Sequence, residues 1–172
     1  FNAYDDNAGP MVRLNAMDHN GYNGMVVRGG TLHSASVWDD TDIVHVLQSN
    51  VEIGNLHVSG GLTLKSSGSQ SLVIKLSGGA AGFTVTGTPA EIEDRIGGTI
   101  LVLGTAGHPV VMTSLANDTV GASFKPNGDP QFDTDNDPSG DPNPGDWKGI
   151  TIDSYSNDRN VAAAVEQEVN SS

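Results

Sequence analysis

Apolar and polar residues alternate along most of this chain in short runs. Val51 and Ile53 flank Glu52, Leu62 and Leu64 flank Thr63 with Lys65 beyond, and Phe83 and Val85 alternate with Thr84 and Thr86. A period of two sends successive side chains to opposite faces of a strand, so each run predicts a strand with one buried face. Leu56 and Val58 around His57 read the same way, as do Ile150 and Ile152 near the end. In the run Leu72 to Leu76 the expected inward set is Leu72, Ile74 and Leu76, which leaves Val73 and Lys75 outside. Helical spacing is nearly absent. Residues 161–169 (VAAAVEQEV) carry Val161, Val165 and Val169 four apart, which suits a short capping helix or, equally, the strand of a truncated coil.

Glycine pairs punctuate the strands. Gly29-Gly30, Gly60-Gly61 and Gly97-Gly98 each lead into an apolar run. Lacking Cβ, a glycine pair lets the chain turn a corner before the next strand. The pairs are spaced 31 and then 37 residues apart, near the size of one or two turns of a solenoid whose loops vary in length. The competing architecture is a β-sandwich, which expects Asn-Gly or Asp-Gly hairpin turns between neighbouring strands. Asn20-Gly21, Asn23-Gly24 and Asn127-Gly128 exist but do not separate the best strands. The predicted class is therefore all-β, with a solenoid preferred to a sandwich.

Charge narrows the partners. Eight Lys and Arg stand against 21 Asp and Glu in 172 residues, a formal charge of -13. Nucleic acid and anionic membranes both need Lys and Arg to meet phosphate, so neither is an expected partner. No apolar run approaches the roughly 20 residues of a membrane-spanning helix, and membrane insertion is not expected. The absence of cysteine excludes disulfides and thiol chemistry. Glycine, at 22 residues, is well above the roughly 7% average and fits many turns joining short strands. The chain opens at Phe1, as expected after removal of a leader or in a segment of a longer polypeptide.

Residues 96–115 (IGGTILVLGTAGHPVVMTSL), an acidic stretch, and residues 144–150 (PGDWKGI) follow one another in order. Together they resemble the repeat of right-handed parallel β-helix regions in large secreted and surface-anchored bacterial proteins. In that pattern a G-T-L strand and turn precede P-V-x-x-T-S, a variable loop, and P-G-D-W-x-G-I. Residues 23–32 (NGMVVRGGTL) and 36–47 (SVWDDTDIVHVL) are similar to a block of giant adhesin-like proteins of the same sort. The resemblance implies a right-handed parallel β-helix with a long acidic loop insertion, secreted or on a bacterial surface. It also implies a structural or adhesive role more than an activity. The implied organisation is an N-terminal edge or cap over 1–30, coils over 31–169 with the acidic loop at 127–146, and a tail at 170–172.

The acidic loop holds six aspartates, Asp129, Asp133, Asp135, Asp137, Asp141 and Asp146. Asp133-Thr-Asp-Asn-Asp137 alternates carboxylates as calcium loops do, with the Ser139 carbonyl at the seventh position and Asp141 at the ninth. Pro138 replaces the EF-hand glycine and Pro144 its bidentate glutamate, so the loop is more similar to those of dockerins or thrombospondin-type repeats. Four carboxylates within nine residues repel one another, with only Lys125 and Lys148 nearby in sequence. The expected ligands of a calcium ion are thus Asp133, Asp135, Asp137 and Asp141, with Asp129; the alternative is a solvated insertion.

Trp38 and Trp147 are the candidate saccharide contacts. Trp38 precedes Asp39, Asp40 and Asp42, which read as a second cation site or, preferably, as a polar turn holding backbone amides. Trp147 in Pro-Gly-Asp-Trp reads first as a packed corner. His33, His45 and His57 recur at steps of twelve, but no Cys or Glu-x-x-His accompanies them and a metal ladder is not expected. Parallel β-helices include polysaccharide lyases and hydrolases, and Val37-Trp-Asp-Asp40 superficially resembles a lyase stretch. The histidine of that stretch is replaced by Asp40, and Arg13, Arg28, Arg95 and Arg159 sit in no carboxylate cluster. No nucleophile elbow, zinc-protease helix or phosphate loop occurs. The expectation is a non-catalytic structural or adhesive extracellular module, calcium-stabilised, whose partners are copies of itself or a cell-surface polysaccharide. A polysaccharide-binding or polysaccharide-cleaving β-helix is the alternative.

Overall fold

The structure is a computed structural model that describes residues 11–54, 61–89, 95–138, 140–154 and 156. The expected strand around His57, the Gly60 corner, the Ser139 ligand, Arg159 and the 161–169 segment lie outside the described residues. Thirteen strands and no α-helix occur among the described residues: β1 Met25–Val27, β2 Gly30–Leu32, β3 Ser36–Trp38, β4 His45–Leu47, β5 Asn50–Ile53, β6 Leu62–Lys65, β7 Leu72–Leu76, β8 Gly78–Val85, β9 Gly87–Pro89, β10 Arg95–Gly97, β11 Ile100–Leu103, β12 Val110–Ser114 and β13 Trp147–Ile152. The fold is all-β.

Three sheets run in the orders β1-β4-β7-β12, β2-β5-β8-β13 and β3-β6-β11, and every pair within them is parallel. An antiparallel hairpin, β9-β10, interrupts the sequence between β8 and β11. Each sheet thus takes every third strand until the hairpin intervenes. The 37-residue glycine spacing does mark one such step, because Gly60-Gly61 and Gly97-Gly98 precede the partnered residues Leu62 and Ile100. The 31-residue spacing does not, because Gly29-Gly30 leads into β2 of another sheet. The glycines also differ in purpose. Gly30 has φ 127°, a turn conformation, whereas a Cβ on Gly98 would lie 2.1 Å from the Ile53 carbonyl oxygen.

The inward rows of the three sheets form the main core, including Leu47, Val51, Ile53, Leu62, Leu64, Leu72, Ile74, Leu76, Phe83 and Val85. The predicted alternation holds in β5, β6 and the end of β8. It fails in β7, where Val73 and Lys75 are as buried as their neighbours. A second layer covers that outer face: Val44, Val46, Val73 and Leu115 pack together with Tyr22, Val111, Val120 and Ala122. It also fails in β13, where Ile150 and Ile152 pair beside buried Phe83 and Val85 yet are exposed. They occupy the last strand of their sheet order, so no described strand lies beyond them.

Candidate cation site

The second layer brings the acidic loop onto the outer face of β7. Asn23 fixes the loop backbone: its amide N–H donates to the Thr134 carbonyl at 2.7 Å and its side chain donates to the Asp133 carbonyl at 3.2 Å. Asn136, at φ 61°, turns the chain and donates to the Asn20 carbonyl at 2.6 Å. Asp118 comes from the turn after β12, where Asn117 donates to Thr113 Oγ1 at 2.8 Å and accepts from the Thr119 amide at 3.0 Å. Such Asx turns hold a short polar segment in place without regular structure.

Asp118, Asp133 and Asp135 converge there, each offering a carboxylate oxygen within 4.8 Å of the others. Lys75 stands beside them. Its fully buried ammonium donates to the Phe132 carbonyl at 2.6 Å and lies 3.8 Å from Asp118 Oδ1. Burial holds the Lys75 pKa below the usual lysine range, against the opposing pull of Asp118, Asp135 and Asp133. Burial likewise raises the Asp118 pKa; Lys75 counters it, while Asp133, Asp135 and Asp137 add to it. Both Asp118 oxygens and Asp133 Oδ1 are enclosed and accept no hydrogen bond. Three carboxylates therefore face one ammonium, and enclosed acceptor atoms lack donors. That is an environment short of positive charge.

Of the five expected calcium ligands, Asp133 and Asp135 are in this group. Asp137 acts on Asp118 only through its charge, although its amide donates to Asp135 Oδ1 at 3.3 Å. Asp141 shares with Asp135 and Asp146 an open cavity of about 450 Å³ next to β8, without joining the converging trio. Asp129 is exposed and is held instead by Asn127, which donates to it at 2.7 Å. Asp146 accepts from Ser114 Oγ at 2.6 Å and the Asn143 amide at 2.8 Å; the amide bond first, then the hydroxyl, keeps its carboxyl below the usual range.

The residues that sequence reasoning missed are Lys75 and Asp118. Lys75 was expected on an open face, and Asp118 reads locally as an ordinary turn residue. The available hint was β7 itself: a lysine inside an otherwise wholly apolar five-residue strand.

Trp38, one of the two candidate saccharide contacts, lies in the main core. It is 6% exposed; its indole stacks on the His45 ring with centroids 5.4 Å apart and meets the Phe83 ring at a tilt, with centroids 5.9 Å apart. Trp147 is partly buried against the main core. Asp40 and Asp42 hold backbone amides, those of Val12 at 3.0 Å and of Leu14. They line a separate cavity of about 390 Å³, and Asp40 is raised chiefly by burial despite its bond to Val12. His33 is exposed while His45 is fully enclosed, so the two are not members of one ladder.

No family model, curated protein or solved structure matches the chain. Among the described residues no helix is long and apolar enough to cross a membrane.

Proposed function

We propose that this chain is a non-catalytic structural or adhesive module of a secreted or bacterial surface protein, built as a right-handed parallel β-helix and stabilised by calcium. The observation that carries the reading is the strand order, in which successive parallel strands pass to three sheets in turn. A chain wound in that way stacks layers about 4.8 Å apart and derives its stiffness from continuous hydrogen-bond ladders and rows of like side chains. The segments that resemble β-helix repeats coincide with β11, β12 and the start of β13. The function is then geometric: a stiff body presents its loops.

Calcium is proposed at Asp118, Asp133 and Asp135. The enclosed oxygens of Asp118 and Asp133 lack donors, and a divalent cation would offset the excess of carboxylate over ammonium. The ion would pin the loop to the outer face of β7. A polysaccharide-directed role loses its better anchor with Trp38 in the core.

Thermal unfolding in calcium and in EGTA, run beside an assay for reducing ends released from plant and bacterial polysaccharides, tests both halves. The proposal expects a higher melting temperature in calcium and no sugar release. Turnover of any polysaccharide, or a melt indifferent to calcium, contradicts it.

A further inference from the structure

We propose that the Lys75 amine and the Asp118 carboxyl condense with each other in the calcium-free chain, forming an amide bond that ties β7 to the turn after β12. The bond does not rest on the calcium reading, although both draw on Asp118. Lys75 Nζ is 3.8 Å from Asp118 Oδ1, and the lysine side chain is fully enclosed. Asp118 is 22% exposed, yet both of its oxygens are enclosed and accept no hydrogen bond. The solvation that keeps an ammonium and a carboxylate ionised is thus missing, and away from water the uncharged amine and acid are the cheaper pair.

The fold holds both partners in place. Thr113, the register partner of Lys75 on β12, accepts from the side chain of Asn117, the residue before Asp118. The Phe132 carbonyl accepts from Lys75 Nζ at 2.6 Å, a bond that a neutral amine or an amide N–H can also make. Groups fixed beside each other in this manner can react as if present at about 10⁵ M. The step balances without a further reagent. The ammonium passes a proton to the carboxylate, Nζ attacks Asp118 Cγ, the Nζ–Cγ bond forms and one Cγ–Oδ bond breaks. The departing oxygen leaves as water, with one proton from the acid and one from the nitrogen. Asp133 converges on the same point and its Oδ1 is enclosed without a hydrogen bond, so it is placed to carry the second proton. A calcium ion held by Asp118 needs that carboxylate charged, so ion and bond compete for it.

Intact-mass spectrometry of the whole chain, incubated folded in EGTA or in calcium and then denatured, reads this without any substitution. In EGTA a species lighter by one water is expected. Trypsin should release from it a branched peptide in which residues 66–95, uncut at Lys75, are joined to 96–148. Wild type incubated unfolded in urea should keep its full mass, since only the fold brings the two groups together. Lys75→Met and Asp118→Ala should keep theirs, and Asp133→Asn should form the bond at least about tenfold more slowly. A folded wild-type chain that keeps its full mass in EGTA overturns the proposal and leaves the calcium reading to its own titration. Loss of water without the branched peptide, as from an aspartate closing on its own backbone, overturns it too. Bond formation at the same rate in calcium supports the bond and overturns the assignment of Asp118 to the ion.

Discussion

The Lys75 ammonium donates to the Phe132 carbonyl at 2.6 Å across 57 residues of sequence, joining the central strand of one sheet to the acidic loop. The same ammonium is the nearest cation to Asp118. A buried charge is tolerable only with partners, so the strand and the loop depend on each other.

Lys75→Met removes that cation while keeping most of the side-chain volume. In EGTA the three carboxylates are then left without compensation, and a loss of about 3 kcal/mol is expected, the scale for breaking a buried pair. Urea unfolding measures it. A variant as stable as the wild type would mean that the ammonium does not hold the loop.

His45 sets an acid limit. Its ring is enclosed, and neither nitrogen makes a hydrogen bond, the Ile43 carbonyl opposing the shift without meeting bonding geometry. Burial lowers its pKa from 6.5 to about 4. The folded state therefore prefers neutral His45: its contribution is complete above pH 6.5 and falls away as the pH drops toward 4. The loss reaches roughly 3 kcal/mol at the bottom of that window, at 1.36 kcal/mol per pKa unit. Asp118 and Asp40, both raised, act with the opposite sign, gaining stability on protonation. The difference in melting temperature between wild type and His45→Phe isolates the histidine. It should narrow steadily between pH 6.5 and 4 in favour of the variant, and a constant difference would contradict the assignment.

Trp38→Ala should act on stability and leave sugar binding unaffected. Removing a buried indole from between His45 and Phe83 is expected to cost about 3–5 kcal/mol. Loss of affinity for a polysaccharide at unchanged stability would restore the saccharide role.

The strands were legible because their inward faces obey the period of two, from Val51 and Ile53 to Phe83 and Val85. Both failures share a cause. Burial is decided by what covers a face, and the cover comes from distant sequence: residues 116–137 lie over Val73 and Lys75, and nothing described lies over Ile152. Two of the acidic trio were readable and the third was not, for the same reason. Asp133 and Asp135 advertise themselves by local alternation, whereas Asp118 and Lys75 join them through the fold. Trp38 illustrates the converse. Its aspartate neighbours suggest a polar surface, but β3 turns the indole inward to the row of Leu64.

Gly98→Ala tests the crossing beside the hairpin. A Cβ there would lie 2.1 Å from the Ile53 carbonyl oxygen and 3.0 Å from that of Thr86, both backbone atoms with no flexible end to yield. A loss of about 2 kcal/mol or more is expected, on the scale of overpacking a close backbone approach. Gly68→Ala, where a Cβ meets nothing within 4 Å, is the control and should stay within about 0.5 kcal/mol.

Calorimetric titration of calcium into the wild type and Asp118→Asn tests the central claim most directly, because Asp118 lies outside the alternating motif and joins it only through the fold. One saturable site is expected, with Kd on the order of 10⁻⁵ to 10⁻³ M and heat lost or strongly weakened in the variant. Absence of heat from the wild type, or equal binding by both chains, would contradict a calcium-pinned loop.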